Sequence, residues 1–235
     1  RTPIRISLGA GGTDLPAFYS RFGSRFATSA GNKYVYVMVN SHPEKIVWMG
    51  LYNAERVDSP DQLRHKIVSK VLLWMGIKKN IQVVSVSDVH PGSGVGSSSS
   101  FLVGLLKALH AYRGEYPWPH EIAAEACYVE QVLLGEKAGK QDQYAAALGG
   151  IIWLEISKNG AVEASRLKLD PDFIHQLDNA TMFFYTGIQR ESSNVHEWHK
   201  KADSSDDNDI ISNLKGIQEG AISIRRALED QKIEE

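Results

Sequence analysis

The chain has 235 residues, of which 43% are hydrophobic and 23% charged, so it can bury one large core or two smaller ones. Its 26 basic and 28 acidic side chains give a formal net charge of −2, which excludes a general basic surface for nucleic acid or an anionic membrane. The single cysteine, Cys127, excludes an intramolecular disulfide, and no stretch reaches the roughly 18 to 20 apolar residues of a membrane span. We therefore expect a soluble cytoplasmic protein in which any phosphate binding is local.

Strand patterns dominate the first ninety residues. Residues 4–8 alternate apolar and polar side chains and predict a short strand, which runs into a glycine-rich loop at residues 9–14. The further strand patterns of this part are rich in β-branched and aromatic residues and lie at 34–39, 45–49, around Val57, and at 81–87. Between them, apolar residues that recur every four positions predict a helix over residues 61–75.

Helices and strands alternate in the remainder. Helical patterns follow a glycine- and serine-rich loop at residues 91–100, and they cover the stretch beginning at Phe101 and residues 121–134, 191–200 and 210–228. Strand patterns lie at 149–156, 161–167 and 181–185. This interleaving predicts an α+β fold, and the double glycine at positions 149 and 150 predicts a domain change there.

The strongest local motif is a run of small residues between a predicted strand and a predicted amphipathic helix. It consists of Pro91, Gly92, Ser93, Gly94, Val95, Gly96, Ser97 and Ser98. Glycines let a backbone approach an anion closely, and a helix N-terminus favours phosphate through its free N–H groups and its dipole. A flexible loop with a serine N-cap is the alternative. A Walker A motif is excluded because no lysine follows Gly96, and the spacing G-x-G-x-G departs from the dinucleotide-binding fingerprint.

Charged residues in three other places are weaker candidates. Asp142 belongs to a polar cluster at residues 135–144 and is a candidate base, or a solvated charge. Glu130 lies at the edge of the apolar face of its predicted helix, where a carboxylate would face either a metal or solvent. Arg5, on the first strand, points either to a cleft or to solvent. Thr13 and Asp14 either bind hydroxyl groups or cap a helix that follows them.

In order and spacing, these elements resemble the GHMP kinase superfamily, which includes galactokinases, homoserine kinases, mevalonate kinases and phosphomevalonate kinases. Residues 1–7 with residues 11–14 resemble the family's first motif, and residues 91–100 resemble its Pro-x-x-x-Gly-Leu-Gly-Ser-Ser motif, with Val95 in place of leucine. Asp142 follows Glu130 by twelve residues, which is similar to the interval between the metal-binding glutamate and the catalytic aspartate of the sugar kinases. The branch that looks most similar is the D-glycero-D-manno-heptose 7-phosphate kinases.

The resemblance implies a two-lobed GHMP kinase fold. Residues 1–150 would form an N-terminal domain like ribosomal protein S5, with the ATP-phosphate loop, and residues 151–235 would begin a C-terminal α+β domain. Members of the family carry a third, glycine-rich motif nearer their C-terminus, which is absent from this sequence. We therefore expect a truncated copy, and the alternative is a natural variant.

The resemblance also implies ATP and Mg²⁺ as cofactors and a role for each candidate residue. Residues 91–98 would hold the nucleotide phosphates, and Ser98 and Glu130 would hold Mg²⁺. Asp142 would act as the base that receives the proton of the acceptor hydroxyl, with Arg5 beside it. The residues expected to bind the sugar are Gly12, Thr13, Asp14 and Arg190.

The substrate implied by the resemblance is D-glycero-D-manno-heptose 7-phosphate, phosphorylated on its anomeric hydroxyl to the 1,7-bisphosphate. Its 7-phosphate would need a basic group, for which Arg190, Lys140, Arg21 and Arg25 are candidates. L-fucose or galactose is the alternative sugar, and a non-catalytic sensor of sugar or nucleotide is the alternative class. The expected partners are thus a sugar phosphate and ATP, with neither nucleic acid nor membrane.

Overall fold

The structure is a computed structural model that describes residues 1–9, 11–51, 53–185, 187 and 208–231. The strands in this part are β1 (Thr2–Gly9), β2 (Ser24–Ser41), β3 (Val47–Gly50), β4 (Ala54–Val57), β5 (Ile81–Ser87), β6 (Ile151–Ile156) and β7 (Val162–Arg166). The α-helices are α1 (Pro16–Phe22), α2 (Lys66–Trp74), α3 (Ser97–Tyr112), α4 (Pro119–Tyr128), α5 (Gln141–Leu148), α6 (Pro171–Asn179) and α7 (Asn208–Glu229). A 3₁₀ turn at Pro60–Gln62 precedes α2, and a π-helical turn at Val129–Leu133 continues α4.

Strand β2, with 18 residues, organises the sheet. Its first part pairs antiparallel with β6, its middle with β1, and its last part, residues 35–41, with β5. The order across the sheet is β4-β3-β5-β2-β6-β7, with β1 paired to β2, and β3 runs parallel to β5. This mixed sheet with its helices is the predicted α+β fold.

Helix α3 lies at the centre of the core, where it packs against β1 and β2. Its apolar side chains are completely buried at Leu102, Val103, Leu105, Leu106 and Leu109. Burying each one contributes about 1.5–3 kcal/mol. Gly104 lets α3 approach the sheet closely, because a Cβ there would come within 2.8 Å of the Thr2 Oγ1 atom. The start of α3, and with it the loop at residues 91–96, is therefore fixed relative to β1.

Most predicted elements are confirmed, and several boundaries change. The predicted helix at 61–75 is split into the 3₁₀ turn and α2. Helices α5 and α6 were not predicted, nor was the first half of β2, whose residues have few β-branched side chains. The strand predicted at 181–185 is wrong, because these residues lie outside the regular elements and are exposed. The helix predicted at 191–200 lies outside the described residues.

The sheet continues past the double glycine at positions 149 and 150. Strand β6 starts at Ile151 and pairs with β2, and β7 pairs with β6. The division into domains at residue 150 therefore stays a prediction, with one sheet on both sides of it. None of the helices in the described ranges has the length and the hydropathy that crossing a membrane requires.

Candidate active site

The loop between β5 and α3 has the features of an anion-binding loop. Gly92, Gly94 and Gly96 have φ angles of 75°, 79° and 68°, which L side chains adopt only with strain. Gly96 is the N-cap residue of α3, and within the described ranges the backbone N–H groups of residues 94–98 have no hydrogen-bond acceptor in the protein. The carbonyl of Val95 accepts a 2.9 Å hydrogen bond from the Arg5 backbone N–H, which anchors the loop to β1. The loop thus presents donors and a helix N-terminus from a fixed position.

A cavity of about 1080 Å³ opens beside this loop. Pro91, Gly92, Ser97 and Ser98 line one end of it, and residues of β3, β4 and β5, the segment before α2, and Phe101 line other parts. The His65 ring lies 5.3 Å from the Phe101 ring on the wall, and burial lowers the pKa of His65. Sequence patterns could not locate this cavity, because its walls come from segments far apart along the chain.

Asp142 and Arg5 form an ion pair at the end of the loop. Arg5 Nε donates to Asp142 Oδ1 at 2.6 Å, and the two side chains are 18% and 26% exposed. The other carboxylate oxygen, Oδ2, lies so close to Gly96 that a Cβ on this glycine would be 2.9 Å from it. The partly buried carboxylate therefore lies where residues 91–96, the predicted phosphate loop, lead into α3.

Glu130 is the most deeply buried carboxylate of this region, with 5% of the residue exposed. It lies on the π-helical turn, a local structure that is frequent at functional sites. Ser99 Oγ donates to its Oε1 at 2.9 Å, and Gln143 Nε2 donates to its Oε2. The pKa of Glu130 is raised to about 7, chiefly by burial; the charge of Asp142 contributes to the rise, and the two hydrogen bonds oppose it.

The donors around Glu130 fit Mg²⁺. The two carboxylate oxygens and the Ser99 hydroxyl are oxygen ligands of the kind that this ion prefers, and a bound cation would favour the ionised form of a carboxylate that burial disfavours. The Oε1 atom of Gln143 is buried without a hydrogen-bond partner beside this carboxylate. No group of three potential His, Cys, Asp or Glu ligands occurs among the described residues. A magnesium site here would therefore combine few protein ligands with phosphate oxygens, which is how Mg²⁺ is usually bound.

Asp14 is directed at α5. Its Oδ2 accepts from the backbone N–H groups of Lys140 at 2.9 Å and Gln141 at 3.1 Å. Burial raises the pKa of Asp14, and these backbone hydrogen bonds lower it. The neighbouring Thr13 is completely buried, and its Oγ1 accepts a hydrogen bond from Ser24 Oγ at 2.9 Å. Gly12, with a φ angle of 83°, makes the turn that brings both residues inward.

The structure thus brings Arg5, Asp142, Asp14, Glu130 and the phosphate loop together. Arg190 lies outside the described residues. Ser98 is exposed on the first turn of α3, and the hydroxyl that contacts Glu130 belongs to the next residue, Ser99.

Two of the candidates for a phosphate group have partners elsewhere. Lys140 Nζ donates to the Gly160 carbonyl at 2.5 Å, and Arg25 pairs with Glu155 at 3.3 Å. The contact of Gln143 was missed because α5 was not predicted, and that of Ser99 because adjacent serines look alike in the sequence.

Comparison with known proteins finds similar kinases. Residues 64–150 match the family model of the GHMP kinases N terminal domain. The chain is 29% identical to the D-glycero-alpha-D-manno-heptose 7-phosphate kinase of Campylobacter jejuni, in an alignment that covers 97% of this chain and 70% of that protein. It is 28% identical to the galactokinase of Pyrococcus furiosus, over 58% of this chain and 39% of that protein.

A solved structure shows the same fold. The crystal structure of a D-glycero-D-manno-heptose 1-phosphate kinase from Bacteroides thetaiotaomicron superposes with a TM-score of 0.79. The identity is 23%, and the match covers 98% of this chain and 72% of that one. The names of the two heptose kinases place the phosphate on different carbons, so the position of the acceptor hydroxyl is a separate question from the fold.

Proposed function

Because the chain belongs to the GHMP kinase family and is a carbohydrate kinase, we propose that it transfers the γ-phosphoryl group of ATP to the anomeric hydroxyl of D-glycero-D-manno-heptose 7-phosphate. The observation that carries this proposal is the Arg5–Asp142 ion pair against Gly96, at the end of a loop with free N–H donors. An acceptor hydroxyl at Asp142 would face a phosphate held by that loop.

The nucleotide would occupy the cavity beside the phosphate loop. Its volume of about 1080 Å³ is enough for a nucleoside triphosphate, since ligand cavities commonly measure about 300–1,000 Å³. The loop of residues 91–98 would surround the phosphates, which would accept hydrogen bonds from the free N–H groups of residues 94–98 at the positive end of α3. The base would then lie towards β3, β4 and β5, near the rings of His65 and Phe101.

Glu130 and the serines at the start of α3 would hold Mg²⁺. Glu130 and Ser98 are the proposed ligands, and the contact between Ser99 and Glu130 adds Ser99 as an alternative hydroxyl. The chemistry that bound Mg²⁺ supplies is neutralisation of charge on the phosphate oxygens. Gln143 orients the Glu130 carboxylate through its amide N–H.

Asp142 and Arg5 would act on the acceptor. The acceptor oxygen attacks the γ-phosphorus, the bond from that phosphorus to the β,γ-bridging oxygen breaks, and the hydroxyl proton passes to Asp142 Oδ2. Arg5 holds the Asp142 carboxylate in place through Oδ1 and brings positive charge to the reacting oxygens. Positioning and charge neutralisation are the main demands of phosphoryl transfer, and this pair serves both.

The sugar would lie on the side of residues 12–14. Gly12, Thr13, Asp14 and Arg190 are the proposed binding residues, although the Thr13 hydroxyl is already engaged with Ser24. The similarity over 97% of the chain to a heptose 7-phosphate kinase favours the heptose phosphate. The similarity to a galactokinase keeps a free sugar such as galactose or L-fucose as the second candidate.

A substrate panel tests the proposal. The protein would be incubated with Mg²⁺-ATP and, separately, D-glycero-D-manno-heptose 7-phosphate, D-sedoheptulose 7-phosphate, L-fucose and D-galactose, while ADP release is followed. Phosphorus NMR of the product would show whether the new phosphate is on the anomeric carbon. We expect turnover with the heptose phosphate alone. Turnover only with a free sugar would overturn the substrate, and nucleotide binding without ADP release would overturn the kinase activity of this chain.

A further inference from the structure

Helix α5, which carries Asp142, is not capped by its own sequence. Lys140 occupies the N-cap position with φ of −115° and ψ of −8°, and its side chain makes no capping hydrogen bond. The first N–H groups of an α-helix have no partner within the helix, and a side-chain oxygen normally satisfies one or two of them. Here the oxygen comes from Asp14, whose Oδ2 accepts from both the Lys140 and the Gln141 N–H groups.

The chain before α5 is shaped around this carboxylate. A Cβ at position 139 would lie 1.9 Å from Asp14 Oδ2 and 2.4 Å from its Cγ, so only glycine fits there. The φ angle of Gly139 is outside the left-handed region, unlike that of Gly96. Glycine is therefore required at position 139 by the close approach of Asp14, and not by backbone conformation.

The capped turn of α5 holds the reacting groups. Asp142 pairs with Arg5, and the next residue, Gln143, donates to Glu130. Gln141 Nε2 donates to Ser7 Oγ at 3.0 Å, which ties the same turn to β1. A shift of this turn would move the Asp142 carboxylate and disturb the orientation of Glu130 at the same time.

We infer that Asp14 is a positioning residue, which caps α5 from a distant loop and thereby holds Asp142 against the end of the phosphate loop. The inference rests on the proposed function of Asp142. It gives Asp14 a task separate from sugar binding, because Oδ2 is already occupied by two backbone N–H groups. Loss of the cap would lower the rate of the chemical step more than the affinity for the sugar.

The variant Gly139→Ala tests this without removing any polar group. The new methyl group would displace the Asp14 carboxylate from α5. Gly216→Ala is the matched control, because Gly216 is an exposed helical residue whose added Cβ would meet nothing within 4 Å. We expect kcat of Gly139→Ala to fall by about 10²-fold, the usual effect of misplacing a reacting group by about 1 Å, with KM for the sugar changed less than about threefold.

Two variants of Asp14 separate capping from sugar binding. Asparagine caps helices about as well as aspartate, so Asp14→Asn should keep most of the kcat that Asp14→Ala loses. Normal kcat in Gly139→Ala, together with a raised KM in Asp14→Asn, would overturn the positioning role and leave Asp14 as a sugar ligand only.

Hydrogen exchange of the Lys140 and Gln141 backbone N–H groups gives a readout that does not depend on activity. We expect faster exchange at these two positions in Gly139→Ala and Asp14→Ala than in the wild type and in Gly216→Ala. If the wild type phosphorylates none of the sugars, the proposed function fails while exchange still reports on the cap. Unchanged exchange in both variants would refute the cap itself.

Discussion

The phosphate loop and the first turn of α5 lie next to each other in the candidate active site, but they differ in how many of their polar groups are hydrogen-bonded within the protein. Within the described ranges, the N–H groups of residues 94–98 have no acceptor in the protein. In the first turn of α5, by contrast, Asp14 accepts from the Lys140 and Gln141 N–H groups, and the side chains of Asp142, Gln141 and Gln143 bond to Arg5, Ser7 and Glu130. The difference fits the proposal that the loop binds a ligand, whereas the first turn of α5 is held in place by the protein itself and serves as the scaffold of the site.

Removing the Asp142 carboxylate should have the largest effect, because Asp142 is the proposed base that receives the proton of the acceptor hydroxyl. General-base assistance is commonly worth 10²- to 10⁴-fold, so we expect Asp142→Ala to lower kcat by on the order of 10² or more. Single-turnover measurement with saturating ATP would isolate this step. Asp178→Asn, which changes an exposed aspartate on α6, is the control. Near-normal turnover in Asp142→Ala would contradict the role of Asp142.

The buried carboxylate of Glu130 should lower the free energy of unfolding of the protein when it is ionised. Its pKa is raised from 4.5 to about 7, so the folded protein holds this proton more tightly than the unfolded chain does. The wild type without Mg²⁺ therefore loses stability as pH rises from about 4.5 to about 7, by roughly 3 kcal/mol in all.

Glu130→Gln removes this titration. A glutamine there would still accept from Ser99, and the unpartnered Oε1 of Gln143 would accept from it after the Gln143 amide turns over. We expect the variant to be more stable than the wild type at pH 8 by about 1–3 kcal/mol in urea unfolding without Mg²⁺, with no difference near pH 4.5. Glu163→Gln on β7 is the exposed control. If Glu130→Gln were less stable than the wild type at pH 8, the ionised Glu130 carboxylate would not destabilise the folded protein.

The sequence predicted the parts of the site whose signal is local. The small residues at 91–98, the strand that bears Arg5, and the interval from Glu130 to Asp142 are visible without a structure. Helix α5 was not predicted because its capping residue lies 126 positions away from Lys140, at Asp14. The neighbour of Glu130 is Ser99 for a similar reason, since adjacent serines look alike in sequence and only the packing of α3 determines which one turns inward.

A pair of glycine variants in the phosphate loop should sharpen the comparison. Gly94 and Gly96 have similar positive φ angles, so alanine at either position costs about 1–2 kcal/mol of backbone strain. A Cβ at Gly94 would meet nothing within 4 Å, whereas at Gly96 it would contact the Asp142 carboxylate. Both variants should therefore weaken ATP binding about tenfold. Gly96→Ala should in addition lower kcat about tenfold. Equal kcat values in the two variants would show that a side chain at position 96 does not disturb the Asp142 carboxylate.

The smallest effect is expected at the other end of α5, where Lys107 Nζ donates to the Ala147 carbonyl at 3.1 Å. A cation there complements the negative end of the helix, as Asp14 does the positive end. Lys107→Met should cost about 1 kcal/mol in urea unfolding at pH 7, because Ala147 loses its hydrogen bond.

The pH dependence of this variant has a definite sign. Burial lowers the pKa of Lys107, so the unfolded chain holds this proton more tightly, and the wild type gains stability as pH rises towards 10.5. The difference between Lys107→Met and the wild type should thus widen as the pH rises towards 10.5. A difference that narrows would mean that the ammonium group is better solvated in the folded protein than its burial implies.

Because Asp142 lies in the first turn of α5 and Ala147 near its end, the kcat of Lys107→Met should differ from that of the wild type by less than about threefold, in contrast to Gly139→Ala.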